Sequence, residues 1–355
     1  LSLAGVRTLS ANDTYYWRVL TVDSATNSMA SASRELRVDT TVPVAATLTS
    51  PTANTDTNVT TITFSWTAAA DNVGISGYRL QIDTANTFVS FVVDSATGLS
   101  LAGTRTLSAN DSYYWRVLAV DSATNSTASV SRQFRIDTTG PAAVLCVTPA
   151  ANTDTNVTTI TFTWTASADS VGILEYRLQI DTANTFASLL VDSATGLSLA
   201  GVRTLSANDT YFWRVLAVDS ATNSTASASR ELRVDTTVPV AATLTSPTAN
   251  TDTNVTTITF SWTAAADNVG ISSYRLQIDT ANTFVLLVAD SATGLSLAGV
   301  RTLSANDTYY WRVLTVDSAT NSMASASREL RVDTTVPVAA TLTSPTANTD
   351  TNVTT

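Results

Sequence analysis

The groups able to do chemistry in this 355-residue chain are almost all carboxylates, amides and hydroxyls. Asp13, Asp23, Asp39, Asp56, Asp71, Asp83 and Asp94 each recur along it, among runs rich in Ser and Thr. Paired carboxylates can act as acid and base, and Asp- and Asn-rich loops supply the all-oxygen surroundings that suit calcium. The chain contains no His and no Lys, so the usual general base and the commonest metal ligand are both missing. No Ser or Thr then has an obvious base to activate it. The single cysteine, Cys146, excludes an internal disulfide and a Cys-based zinc site. Most of the aspartates stand beside turn residues, where a carboxylate caps backbone amides. These residues predict a protein that is not an enzyme and holds no cofactor. Calcium is the one open metal reading, with Asp23, Asp39 and Asp71 and their copies as its ligands, although no spacing matches a dedicated calcium loop.

A second chemistry lies in the Asn-x-Ser/Thr sequons at Asn12, Asn58, Asn110, Asn125, Asn156, Asn208, Asn223, Asn254, Asn306 and Asn352. They are candidate N-glycosylation sites, in a chain where frequent Ser and Thr produce most such triplets by chance.

The overall balance narrows the partners. The chain is 44% hydrophobic and 14% charged, which excludes a disordered polyelectrolyte. It has 29 acidic residues against 19 basic ones, every one of them Arg, for a net charge of -10. Such a surface repels phosphate backbones, so no nucleic acid is expected as a partner. No apolar run approaches the roughly 20 residues of a membrane span.

The string Leu-Ser-Leu-Ala-Gly begins at Leu1, Leu99, Leu197 and Leu295, a fixed period of 98 residues. Trp17, Trp115, Trp213 and Trp311 form one series at that spacing, and Trp66, Trp164 and Trp262 another. Residues 1–61 and 295–355 are identical, whereas neighbouring copies differ, so a higher-order period of three copies overlies the first. A tandem array follows, and a solitary catalytic domain is disfavoured.

The elements that position these groups read as strands. Apolar residues alternate with polar ones in three long runs. Ile62, Phe64 and Trp66 share one face of the first. Tyr78, Leu80 and Ile82 face inward in the second, with Arg79, Gln81 and Asp83 toward water; Tyr15, Trp17 and Val19 form the inward set of the third. Shorter strands are expected near residues 1–3, 35–38, 45–48 and 88–93, with turns at 10–13, 50–54, 71–74 and 94–98. No run has helical period. Cys146 replaces the Leu48 of another copy and reads as a small buried residue. Tyr16 and Arg18 face away from the core, free for a partner. Seven short strands per copy make an all-β fold, a tandem array of seven-stranded antiparallel β-sandwiches.

Trp66, the strand Tyr78-Arg-Leu, Leu9 six residues before Tyr15, and the run Tyr15-Tyr-Trp-Arg-Val-Leu-Thr-Val-Asp resemble the fibronectin type III pattern. The resemblance implies that Tyr15 is a tyrosine corner, its hydroxyl pinning the crossing between strands E and F. Ser10-Ala-Asn-Asp stands where that family usually carries Pro-Gly. The Asp23-Ser-Ala-Thr-Asn-Ser and Asp39-Thr-Thr-Val-Pro segments are similar to immunoglobulin-like repeats of bacterial surface fibres and large adhesins, which implies calcium at the joints between units.

The Pro-containing linker sets the phase: complete sandwiches over 41–138, 139–236 and 237–334, a partial one over 1–40 (strands E to G) and another over 335–355 (strand A and the start of B). Neither partial piece can bury its own face, so the sequence reads as an excerpt or as a chain whose ends other chains complete. These features predict a self-associating extracellular microbial fibre or stalk. The alternatives are the repeat region of a cell-surface adhesin, as spacer or glycan-binding array, and accessory modules of a secreted polysaccharide-degrading enzyme.

Overall fold

The computed structural model describes residues 5–344 and 350, so the expected strand at residues 1–3, the Asn352 sequon and about half of the partial unit at 335–355 lie outside the described residues. Among the described residues there is no helix, and none therefore long and apolar enough to cross a membrane.

Residues 1–40 contribute β1 (Asp13–Trp17), β2 (Leu20–Val22), β3 (Ser28–Ala30) and β4 (Arg34–Val38). The next unit shows the full pattern: β5 (Leu48–Ser50), β6 (Thr55–Thr57), β7 (Thr61–Trp66), β8 (Ile75–Asp83), β9 (Val93–Gly98), β10 (Ala102–Thr106), β11 (Asp111–Asp121), β12 (Ser126–Ala128) and β13 (Arg132–Ile136). It repeats from β14 (Cys146–Thr148) to β22 (Arg230–Val234), and again from β23 (Leu244–Ser246) to β31 (Arg328–Val332). One sheet has the order β5-β7-β10, and the other β6-β13-β11-β8-β9. Nine strands therefore replace the expected seven. The extra two are the three-residue β6, which pairs parallel to β13, and β12, which pairs with β11.

Alternation sets the core. In β11, Tyr113, Trp115, Val117 and Ala119 are buried, and Phe64, Trp66, Tyr78, Leu80 and Ile82 close over them from the other strands. The Trp115 ring meets Phe64 edge-on at 5.0 Å, a geometry repeated by Trp213 on Phe162 and Trp311 on Phe260. Trp17 is the same residue without the strands that cover it, and 49% of its surface stays exposed, against none for Trp115.

The tyrosine corner is present. Tyr113 Oη donates to the Ser108 carbonyl at 3.1 Å, and Tyr15, Tyr211 and Tyr309 make the same bond. In the turn before it, Asn110 adopts φ +59°, a left-handed conformation that Asn tolerates, and its Oδ1 accepts from Thr138 N at 2.8 Å. That asparagine takes the place of the usual Pro-Gly.

Four expectations need correction. Residues 94–98 belong to edge strand β9 rather than to a turn, while residues 88–92 form the loop before it. Phe88 in that loop is buried under the Arg116 guanidinium, 4.1 Å from its ring centre. Arg116 (the copy of Arg18) also donates to Gln81 Oε1 at 2.8 Å, so this arginine serves its own unit. Gln81 and Asp83 are consequently covered rather than facing water, Asp83 accepting from Ala85 N and Ser90 N across the loop.

Candidate functional site

The alternation that buries Trp115 and Ala119 also turns Asp121, the last residue of β11, toward the interior. There it meets the loop between β7 and β8, where Asp71 caps Val73 N at 2.8 Å in an Asx turn. The third member arrives from the linker: Asp39 follows β4 directly, and its Oδ1 accepts from Asn72 Nδ2 at 3.0 Å. Oxygens of Asp39, Asp71 and Asp121 all lie within 4.8 Å of one another. The period carries this arrangement to Asp137, Asp169 and Asp219, and to Asp235, Asp267 and Asp317.

Each group is framed by an asparagine after β11 or its copy. Asn125 Nδ2 lies 2.8 Å from Asp121 Oδ2, 3.2 Å from the Asp39 carbonyl and 3.1 Å from the Thr41 carbonyl. Asn223 reaches the Asp137 carbonyl at 2.8 Å, and Asn321 the Asp235 carbonyl at 2.9 Å. The frame thus ties each linker to the loops of the unit that follows it.

The clusters are carboxylate-rich, with Arg135 and Arg233 acting on them only at a distance. Asp121, Asp219, Asp235 and Asp317 have no exposed surface, and among the described residues no arginine forms an ion pair with any of the cluster carboxylates. Two like charges about 4.8 Å apart repel by about 3–4 kcal/mol at an effective dielectric near 20. Donors offset part of this. The Asn72 amide holds the Asp39 carboxyl below the usual range. Burial opposes ionisation of Asp137, but the Ser170 hydroxyl and the Thr139 amide outweigh it, and that carboxyl is also lowered. Two oxygens receive no donor: Asp71 Oδ1 and Asp235 Oδ2 are buried without a hydrogen-bond partner. A groove of about 470 Å3 opens the second cluster to solvent, lined by Asn110, Asp111, Arg135, Asp137, Asp169 and Ser170 among others.

The structure brings two of the three named metal candidates, Asp39 and Asp71, together and leaves Asp23 apart. Asp23 lies in the piece at 1–40, where its Oδ1 and Oδ2 take the Asn27 amides at 2.8 Å. Its copy 98 residues later, Asp121, completes the cluster. The signal was available: the loops after the second and sixth strands of such a sandwich share one pole, so Asp71 must meet the aspartate of its own unit.

The sequons divide. Asn58, Asn156 and Asn254, and Asn12, Asn110, Asn208 and Asn306, are exposed. Asn125 and Asn223 are not free turn amides, because the Nδ2 that would carry a glycan is already bonded to Asp121 and Asp39, or to Asp219 and Asp137. Cys146 is a buried free thiol 3.3 Å from Ser227 Oγ, and burial pushes its pKa up.

No family model matches the chain. Chitinase A1 of Niallia circulans is 33% identical over 199 residues, covering 54% of this chain and 26% of that protein, so the chain matches about a quarter of its relative's length. Among solved structures, the fibronectin(III)-like modules of Clostridium thermocellum CbhA are similar with a TM-score of 0.38 at 17% identity, covering 54% of this chain and 94% of theirs. The FN1–FN3 domains of chicken CNTN1 give a TM-score of 0.36 at 15% identity, covering 82% and 98%.

Proposed function

Because the chain is a tandem array of fibronectin type III-like β-sandwiches, we propose that it is a structural segment of an extracellular microbial fibre or stalk that associates with further copies of itself. The observation that carries this reading is the repetition of the joint. Asn125, Asn223 and Asn321 each clamp the linker that precedes their own unit, so the chain repeats a connection as faithfully as it repeats a core. A role in which length and joint stiffness are the useful properties requires that. Sheet edges such as β9 are open for association between chains.

The match to a chitinase favours a second reading, a spacer beside the catalytic domain of a secreted polysaccharide-degrading enzyme. Electron microscopy of the native full-length material separates the two. Continuous filaments with an axial repeat of about 30–40 Å per unit, the span of strands rising about 3.3 Å per residue, support the fibre. Discrete strings ending in a globular head, with hydrolysis of insoluble chitin by the same material, overturn it in favour of the spacer.

A further inference from the structure

We propose that two chains join through the open edge of β9 and of its copies β18 (Val191–Gly196) and β27 (Ala289–Gly294), each pairing antiparallel with the same edge of a second copy. The proposal rests on the self-association proposed above and names the interface that serves it. A contrast among the four edges of one sandwich carries it. A strand edge offers unpaired amides and carbonyls to any chain that meets it, and folded proteins blunt such edges. On β10 the Arg105 guanidinium donates to the Thr104 carbonyl of its own strand at 2.6 Å, and Arg203 and Arg301 do the same to the Val202 and Val300 carbonyls. On β5 the guard comes from β13: Arg132 donates to the Thr49 and Pro51 carbonyls, both at 3.1 Å. Arg230 and Arg328 repeat that contact in the later units. The third edge, β6, is only three residues long. β9 has six residues, and its backbone pairs with β8 alone. The guanidiniums beside it bind its side chains instead, Arg79 taking Asp94 at 2.8 Å and Arg105 the Ser95 hydroxyl at 2.6 Å. In every unit two edges are guarded by arginine and one is short, which leaves the fourth bare.

Sequence and charge make a second copy the occupant. β9 reads Val-Asp-Ser-Ala-Thr-Gly, β18 is identical, and β27 differs only at Ala289. Two such strands set antiparallel about Ser95 place each Asp94 opposite an Ala96, so no two carboxylates face each other across the pair. Asp94 is already matched by Arg79, Asp192 by Arg177 and Asp290 by Arg275. A chain of net charge -10 therefore meets itself there on a balanced surface. The exposed side chains Asp94, Ala96 and Gly98 are small, and a strand can approach to the ladder spacing of about 4.8 Å. The contact is isologous, so it closes at two strands and joins two sheets of order β6-β13-β11-β8-β9 along their β9 edges. One edge of six residues is a weak contact, and several engaged together are stronger by avidity.

The test is sedimentation velocity of the 355-residue chain over a range of concentrations, with hydrogen exchange read at residues 93–98, 191–196 and 289–294. The expected result is association that grows with concentration, accompanied by slowed exchange along β9, β18 and β27 and unchanged exchange along β10. Ala96→Asp, Ala194→Asp and Ala292→Asp together set a carboxylate opposite each edge aspartate and should weaken association by about tenfold or more. Thr104→Asp, Val202→Asp and Val300→Asp add the same charge to the guarded edge and should leave association unchanged. Near-ultraviolet circular dichroism checks that both sets fold, and if the alanine set does not, the exchange pattern of the unaltered chain decides. Equal association in the folded alanine set, equal loss in both sets, or slowed exchange on β10 in place of β9 overturns this interface and leaves self-association standing. A chain that stays monomeric at every concentration overturns both.

Discussion

The side-chain amide of Asn125 donates to the backbone carbonyl of Asp39, 86 residues earlier, across 3.2 Å. Through that bond a turn in one sandwich holds the strap that enters it. The same amide reaches Asp121, so the turn and the strap share one donor group.

Removing that donor loosens the joint. At the most buried copy, Asn321→Ala leaves Asp317 Oδ2 and the Asp235 carbonyl without their partner. The expected loss is about 1–3 kcal/mol for that unit, the usual penalty for orphaned buried acceptors. Urea unfolding followed by tryptophan fluorescence measures it. An unchanged midpoint would mean that the clamp contributes nothing.

The same geometry sorts the sequons. Glycosylation consumes an Nδ2 proton but leaves Oδ1, so Asn110 can keep its bond to Thr138 N while carrying a sugar. Asn125 and Asn223 cannot keep theirs unaltered. Expressed in a host that performs N-glycosylation, the chain should be occupied at Asn110, Asn156 and Asn208 and bare at Asn125 and Asn223. Peptide mass spectrometry reads this directly.

Tyr113→Phe, Tyr211→Phe and Tyr309→Phe together remove one hydroxyl bond per unit, to Ser108, Ser206 and Ser304, and leave the ring packing intact. Each unit should lose about 0.5–1.5 kcal/mol, the net worth of one such bond. A fall in the denaturation midpoint with an unchanged slope is the expected signature.

Acid should weaken the β8–β9 edge. The Arg79 guanidinium holds the Asp94 carboxyl below the usual range, and Arg177 does the same to Asp192. A carboxylate with a depressed folded pKa contributes stability that is fully present above its unfolded pKa, near 3.9, and lost as pH falls through the folded value. These pairs are partly exposed, with Arg79 at 44% and Asp94 at 28% of their side-chain surface, so each contributes only about 0.2–1 kcal/mol. Thermal unfolding should be flat above pH 5 and decline below pH 4. Asp94→Asn with Asp192→Asn should reduce that decline.

Cys146 should resist iodoacetamide at pH 8 in the folded chain and react on unfolding, because burial raises its pKa and covers its sulfur. Cys146→Leu, the residue at the matching position in β5 and β23, should be tolerated with a change under about 1.5 kcal/mol.

Much of this architecture was legible before any coordinates. The 98-residue period and the inward Tyr113-Trp115-Val117 series follow from residue spacing along single strands, and the resemblance to fibronectin type III implied the tyrosine corner. Where the reading went astray, the deciding contact came from another strand. Asp94 to Gly98 looks like a turn by composition, yet it pairs with β8, and an edge strand needs no apolar face toward solvent. Phe88 looks like part of a strand, yet its ring is sheltered by Arg116.

The joint shows the division most clearly. Sequence alone determined that Asp39, Asp71 and a residue of the Asp23 series would recur at fixed spacing, because the period repeats every side chain. The tertiary structure decided which linker aspartate joins the two loop aspartates of a unit. Asp121 joins Asp39 because the folded sandwich places the end of β11 beside the β7–β8 loop at the pole where the linker enters. Asp23, in a piece that lacks that loop, keeps only the turn of its own strand. A period reports separation along the chain, and a cluster requires closeness across it, which chain reversal through two sheets alone supplies.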